Sequence, residues 1–169
     1  MTLSIIIIIV SFILEIILNN FLPYMMGDLS LFTPMFTLIS LLLIYPLLKK
    51  NIKRYFITAF IMGIIYDLFF TNLLFFNGIL FILIAYSIHL LYKYFEFNII
   101  NIAIEIVLII IIYETTTALI ILLFNLVPVT TSKLIYKISH SLISNIIYGE
   151  LLYLIINHLP KKYKSISIN

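Results

Sequence analysis

The chain has 169 residues, 64% of them hydrophobic and only 10% charged, with a formal net charge of +3 and a mean hydropathy of +1.24. A soluble domain is about half apolar and a quarter charged, so no soluble core of this length buries so much Ile, Leu and Phe, and the bilayer has to be the solvent. The lack of cysteine excludes disulfides, thiolate metal sites and Cys nucleophiles.

Counting apolar runs of about 20 residues, the length that crosses a ~30 Å hydrocarbon core, predicts an all-α membrane protein with six transmembrane helices. All of it falls in one integral membrane domain, 1–169, with spans near 3–22, 31–48, 55–71, 74–92, 98–126 and 132–158. The N-terminal "MTLSIIIIIVSF" lacks the basic n-region and small-residue cleavage site of a signal peptide, so it reads as a retained span. Pro23 and the polar Gly27-Asp28 pair are expected to close that first helix. In the second, Thr33 is placed to cap a start at Pro34, since proline is tolerated in a first turn. The run 55–92 is too long for one pass at ~1.5 Å per residue. It reads as a helical hairpin, turning near Thr71-Asn72 or near Asn77-Gly78. A long, tilted fifth helix stops at Pro128 and the sixth at Pro160. No repeat, low-complexity tail or soluble domain is visible.

Orientation follows from Lys and Arg in the connecting segments. The "KKNIKR" loop carries Lys49, Lys50, Lys53 and Arg54. With six spans it shares a side with Lys93, with the Lys161, Lys162 and Lys164 tail, and with both termini. Only Lys133 and Lys137 lie opposite. The predicted topology is N-in, C-in, and positive-inside topology accounts for the basic loops without nucleic acid.

Five of the seven acidic residues, Glu15, Asp67, Glu105, Glu114 and Glu150, fall inside spans. A charge in the bilayer is costly, so such groups face protein or water. Asp67 follows Gly63 by four residues, on the same helix face. A glycine there admits a neighbouring helix closely, and the carboxylate projects into that contact. If the helix begins at Tyr55, Asp67 lies about 18 Å along it, in the outer half. On the sixth helix Lys133, Lys137, His140, Ser141, Ser144 and Tyr148 fall within roughly a 100° sector. A cation-bearing stripe is expected to face the bundle interior or a partner. Pairing with an outer-half acid, Asp67 or Glu114, would satisfy both sides, and Asp67 with Lys137 or His140 is the expected pair. Glu105 and Glu114, nine residues apart, sit on opposite faces of the fifth helix and do not form one site. The plain alternative for each carboxylate is a hydrogen-bonded structural staple.

No H-E-x-x-H, G-x-S-x-G or Walker sequence occurs. His89 lies on the fourth helix and His140 and His158 far apart on the sixth, without metal-ligand spacing, and His89 and His158 sit near helix ends where snorkelling is the default. The sequence therefore predicts no catalytic residue, metal or cofactor. A transporter built on inverted repeats would show two corresponding broken helices, and none is apparent.

From the second to the fourth helix, "TPMFTLISLLLIYPL", a basic loop, and "FIMGIIYDLFFTNLLFFNGILFILIAYSI" resemble MreD, the rod-shape-determining membrane protein family. The family's recurrent proline, G-x-x-x-D and following glycine correspond to Pro34, Gly63 with Asp67, and Gly78. The end, "NIIYGELLYLIINHLPKK", also resembles the family's last helix and basic tail. The resemblance implies a multi-pass protein of the bacterial inner membrane and a non-enzymatic component of the cell-elongation machinery. It would bind the bitopic protein MreC and connect MreB filaments to RodA and a class B penicillin-binding protein. It also implies a bundle similar to the S-components of energy-coupling-factor vitamin transporters, which supplies the other function class, a substrate-capture subunit. Such a subunit needs small-residue patches on its first helix for docking, whereas "LSIIIIIVSFILEIIL" is bulky apart from Ser4 and Ser11, so the scaffold is favoured.

Overall fold

The computed structural model describes residues 2–26, 33–71, 73–124 and 130–159. Every regular element among them is helical: α1 (Thr2–Met26), α2 (Phe36–Leu48), a single 3-10 turn (Lys49–Asn51), α3 (Ile52–Phe70), α4 (Phe76–Leu91), α5 (Ile99–Leu123) and α6 (Thr131–His158). Three of these, α1, α5 and α6, are long and apolar enough to cross a membrane, and α4 is a shorter apolar helix.

Helix α2 is the axis of the bundle. Its sequence, FTLISLLLIYPLL, is apolar on every side, and such a helix is stable only when surrounded. It packs against α1, α3, α4 and α6, and all of its residues but Leu47 are buried. The other helices show one buried stripe and one outward stripe. On α1, Ile8, Ser11, Phe12 and Glu15 turn inward while Ile5, Ile6, Ile9, Val10, Ile13 and Ile17 turn out, a 3.6-residue pattern whose outer face suits hydrocarbon. α3 and α4 form a tight antiparallel hairpin, as do α5 and α6, and α4 joins the two hairpins through α5.

The structure corrects several sequence-based boundaries. α1 does not stop at Pro23 but continues to Met26; Gly27 and Asp28, expected to help close it, lie outside the described residues. α2 starts at Phe36, not at Pro34, and Thr33 does not cap it: Met35 occupies the cap position without a side-chain bond, and the Thr33 hydroxyl is buried without a hydrogen-bond partner among the described residues. Of the two candidate hairpin turns, the one beside Thr71 is used, because Asn77 and Gly78 already belong to the first turn of α4. Asn72, Pro128 and Pro160 lie outside the described residues. Just before α4, Phe75 adopts a left-handed backbone with φ of 68°. That conformation costs a bulky L-residue roughly 1–2 kcal/mol, so the start of α4 must be held by something other than local preference.

Candidate functional site

What holds it is Asp67. The first N–H groups of any helix have no partner within the helix, and a side-chain oxygen near them supplies one. α4 has no side-chain cap of its own. Instead the Asp67 carboxylate, reaching across from the last turn of α3, accepts from the Asn77 backbone N–H at 3.0 Å on both oxygens and from the Gly78 N–H at 3.4 Å. The Asn77 side-chain amide and the Thr71 hydroxyl each donate to Oδ1 at 2.8 Å. Every contact on this carboxylate is a donor, the set an ionised carboxylate accepts, and the positive end of the α4 dipole faces it. Asp67 is 1% exposed.

Gly63 makes that reach possible. A Cβ there would collide with the Asn77 carbonyl oxygen and lie 2.6 Å from the Gly78 Cα. The missing side chain lets the α4 backbone sit directly on α3, one turn below the carboxylate. Gly78 meets α3 less tightly: a Cβ there would have as nearest neighbours the Ile64 Cγ1 and the Phe60 ring edge, side-chain atoms at 3.2 and 3.3 Å.

The start of α2 repeats the device. Glu15 of α1 is completely buried, and its Oε2 accepts from the Thr37 backbone N–H and the Thr37 hydroxyl, both at 2.7 Å. Tyr66 of α3 donates to Oε1 at 2.9 Å. Asn145 of α6 completes the junction: its side-chain oxygen accepts from the Met35 N–H at 2.8 Å, and its amide donates to the Thr33 carbonyl at 3.1 Å. Pro34 is therefore buried in a short non-helical entry pinned by α6, not in a helical first turn. Both helix starts lie at the end of the bundle opposite the basic loop. Replacing Glu15 with Ala strands the buried Thr37 donors, each worth ~1–3 kcal/mol when left unmade. The expected loss is about 2–4 kcal/mol, read as an earlier midpoint in SDS titration of the protein in mixed micelles; an unshifted midpoint would remove Glu15 from the stabilising set.

The fifth and sixth helices close the belt. Tyr113 donates to the Asn77 side-chain oxygen at 2.8 Å, linking α5 to the Asp67 junction. Glu114, next to it, is 2% exposed and forms an ion pair with the half-exposed Lys137 of α6 at 3.0 Å. The expected pairing of Asp67 with Lys137 or His140 is thus corrected: Lys137 pairs with the other outer-half acid, and Asp67 is satisfied by a helix start. His140 bonds the Tyr136 carbonyl of its own helix at 2.8 Å and its ring lies against Tyr136. Of the polar stripe, Ser141 and Ser144 are buried, whereas Lys133 is exposed. His89, read as a snorkelling residue, instead meets the Tyr45 hydroxyl at 2.7 Å, and His158 bonds the Leu154 carbonyl in its own helix. Glu105 is buried on the face of α5 opposite Glu114, and Glu150 is half-buried.

Between α3, α4, α5 and α6 at this end lies a cleft of about 460 Å³, walled by Tyr66, Phe70, Phe76 and Tyr113 with Asn77 and Lys137 at its edges. Beside it, Glu114 Oε1 and Thr117 Oγ1 are buried without a hydrogen-bond partner among the described residues.

Sequence reasoning missed Asn77, Asn145, Thr37, Tyr66 and Tyr113. Asn145 continues the polar stripe of α6 at one turn beyond Ser141, the signal that was present for it; the tyrosines carry none in a chain with 12 of them.

The described residues form an all-helical bundle with lipid-suited outer faces, in which two of the four buried carboxylates, Glu15 and Asp67, are satisfied at the starts of neighbouring helices; that is the build of a structural membrane protein. The family model for the rod shape-determining protein MreD matches residues 1–163, and the chain belongs to that family. No curated protein and no solved structure matches it. Family membership gives it a role in rod-shape determination at a membrane; the family is not a known enzyme family.

Proposed function

We propose that the chain is a non-enzymatic scaffold of the bacterial cytoplasmic membrane, with six spans and both termini inside, that binds MreC. Through MreC it couples MreB filaments to RodA and a class B penicillin-binding protein. The family match across nearly the whole chain carries this reading. The use of the acids supports it: Asp67 and Glu15 have their oxygens taken by backbone, hydroxyl and amide donors of neighbouring helices, the arrangement of a fastening. Gly63, Asp67, Gly78, the Pro34 entry and the Glu114–Lys137 pair hold the bundle in one register in this reading, and His140 stays on α6. The outward Ile, Leu and Phe faces pack against the partner's spanning helix by dispersion and shape.

The test is co-expression with an MreC-like bitopic protein and affinity purification in detergent. A stable complex that survives size-exclusion chromatography is expected. Two well-folded proteins that elute separately in every detergent and in nanodiscs would overturn the scaffold reading.

A further inference from the structure

The cleft of about 460 Å³ near the Asp67 junction lies where the α3–α4 and α5–α6 hairpins part. Its apolar walls come from α3, α4 and their turn, through Tyr66, Phe70, Leu73 and Phe76, and from α5, through Tyr113 and Ile121. The volume falls within the ~300–1,000 Å³ of small-molecule sites, which are apolar or aromatic with a few placed polar groups.

The polar groups around it divide into engaged and free. Tyr66 donates to Glu15, Tyr113 to the Asn77 side-chain oxygen, and Thr71 and the Asn77 amide to Asp67. Lys137, 47% exposed at the cleft edge, directs its ammonium to Glu114 at 3.0 Å, and an ammonium carries further donors. Thr117 lines the cleft, and its Oγ1 is buried without a partner among the described residues; it does not take the carbonyl one turn back, as Thr115 Oγ1 does at 2.6 Å. Threonine on a helix has two accessible χ1 rotamers. A turn about χ1 therefore offers the Thr117 hydroxyl to an occupant without breaking a bond. The free groups are donors set beside aromatic faces, and they call for an acceptor oxygen on a flat apolar body.

Charge decides which acceptor. Of the acids, Asp28 lies outside the described residues. Glu96 precedes α5, and Glu150 is thirteen residues, about 20 Å, beyond Lys137 on α6. Glu105 is buried on the face of α5 opposite Glu114. Glu114, Asp67 and Glu15 therefore stand behind the walls, each bonded as described, against Lys137 and the exposed Lys133 one turn before it. An anion would join three carboxylates, and a cation would meet two ammoniums. A neutral occupant meets neither cost.

We propose that this cleft binds a small neutral ring compound through its carbonyl oxygen, with the oxygen on the Lys137 ammonium and the Thr117 hydroxyl and the ring among Tyr66, Phe70, Phe76 and Tyr113. Thr71 and Asn77 line the same cleft, so an occupant rests on two donors of the Asp67 cap and bridges the two hairpins. Because the site is built only in the folded bundle, binding stabilises the fold.

The probe is benzamide, with benzoate and benzylammonium as its anionic and cationic counterparts, titrated onto the full-length protein in nanodiscs and followed by saturation-transfer NMR. Wild type is expected to bind benzamide with roughly millimolar affinity, the range for so small a ligand, and about tenfold more tightly than either charged counterpart. Thr117→Val removes only an unbonded hydroxyl, so it should keep the wild-type midpoint in SDS titration yet weaken benzamide about fivefold, the worth of one hydrogen bond. Ile121→Trp fills the cleft and should abolish binding. Thr115→Val, on the same helix but with its hydroxyl bonded to the Ile111 carbonyl, should leave binding as in wild type. No binding of benzamide by wild type, wild-type binding by Thr117→Val or Ile121→Trp, or a preference for benzoate or benzylammonium would each overturn the proposal. None of these readouts depends on MreC or on which side of the membrane the cleft faces.

Discussion

Asp67→Ala is expected to be the most damaging single carboxylate substitution in the chain. It removes the acceptor for the Asn77 and Gly78 backbone N–H groups, the Asn77 side-chain amide and the Thr71 hydroxyl. Asp67 and Asn77 are each 1% exposed, so water cannot take over at the helix start. An unmade buried donor costs ~1–3 kcal/mol, and because these donors share one acceptor the costs overlap, giving about 3–5 kcal/mol in total. The left-handed Phe75 then has nothing to hold it, and the α3–α4 turn is expected to open. Asp67→Asn keeps one carbonyl oxygen but turns an NH2 toward backbone donors, so it should lose roughly half as much. SDS titration in mixed micelles measures both. A midpoint for Asp67→Ala within error of wild type would show that the cap contributes nothing, and a wild-type-like fold with lost partner binding would move Asp67 from fastening to interface.

The error made at Asp67 in reading the sequence has a physical cause. A carboxylate in a lipid-soluble helix invites a search for a cation, and Lys137 and His140 are the cations at the right depth. A helix start offers comparable stabilisation through several partial charges and N–H donors, but those donors belong to the backbone and leave no trace in residue type. The sequence did hold a local hint, an Asn-Gly pair ten residues after the acid. Glu15 was harder still, since its Thr37 donors lie 22 residues further along the chain. What could be read was what depends on composition and spacing: a membrane protein, mostly helical, with a short hairpin after Asp67 and, of the polar stripe on the last helix, the buried Ser141 and Ser144. The partner within that stripe depended on which acid α5 brings opposite Lys137, and in the structure it is Glu114.

The two trans caps also say why polar residues are retained in so apolar a bundle. Apolar packing between helices in lipid gains little from water exclusion, so many rotations and offsets of Ile-rich helices have similar energy. A carboxylate that must meet the first N–H groups of a particular helix accepts one offset only. Glu15 fixes α1 on α2, and Asp67 fixes α3 on α4. Asn145 then fixes α6 on the entry to α2, and Tyr113 fixes α5 on α4. A partner-binding surface assembled from several helices needs that single register.

Gly63→Ala is expected to cost about 2–3 kcal/mol, at the upper part of the ~1–3 kcal/mol range for overpacking. The added methyl would meet backbone on both nearest sides, the Asn77 carbonyl and the Gly78 Cα, and backbone in a packed helix start cannot swing aside as a side-chain end does. The two helices must separate by several tenths of an ångström, which lengthens every bond from Asp67 to Asn77 and Gly78. Gly63 and Asp67 are therefore two parts of one junction, and their substitutions should not add. In a double-mutant cycle, Gly63→Ala in the Asp67→Ala background should cost at least 1 kcal/mol less than in wild type, inside the ~0.5–3 kcal/mol range of coupled neighbours. Gly78→Ala, whose added methyl would press only on side chains, the Ile64 Cγ1 and the Phe60 ring edge, should cost about 1 kcal/mol by itself. Additive costs at Gly63 and Asp67, or a larger loss at Gly78 than at Gly63, would show that the glycine serves simple packing and not the seating of α4 on the carboxylate.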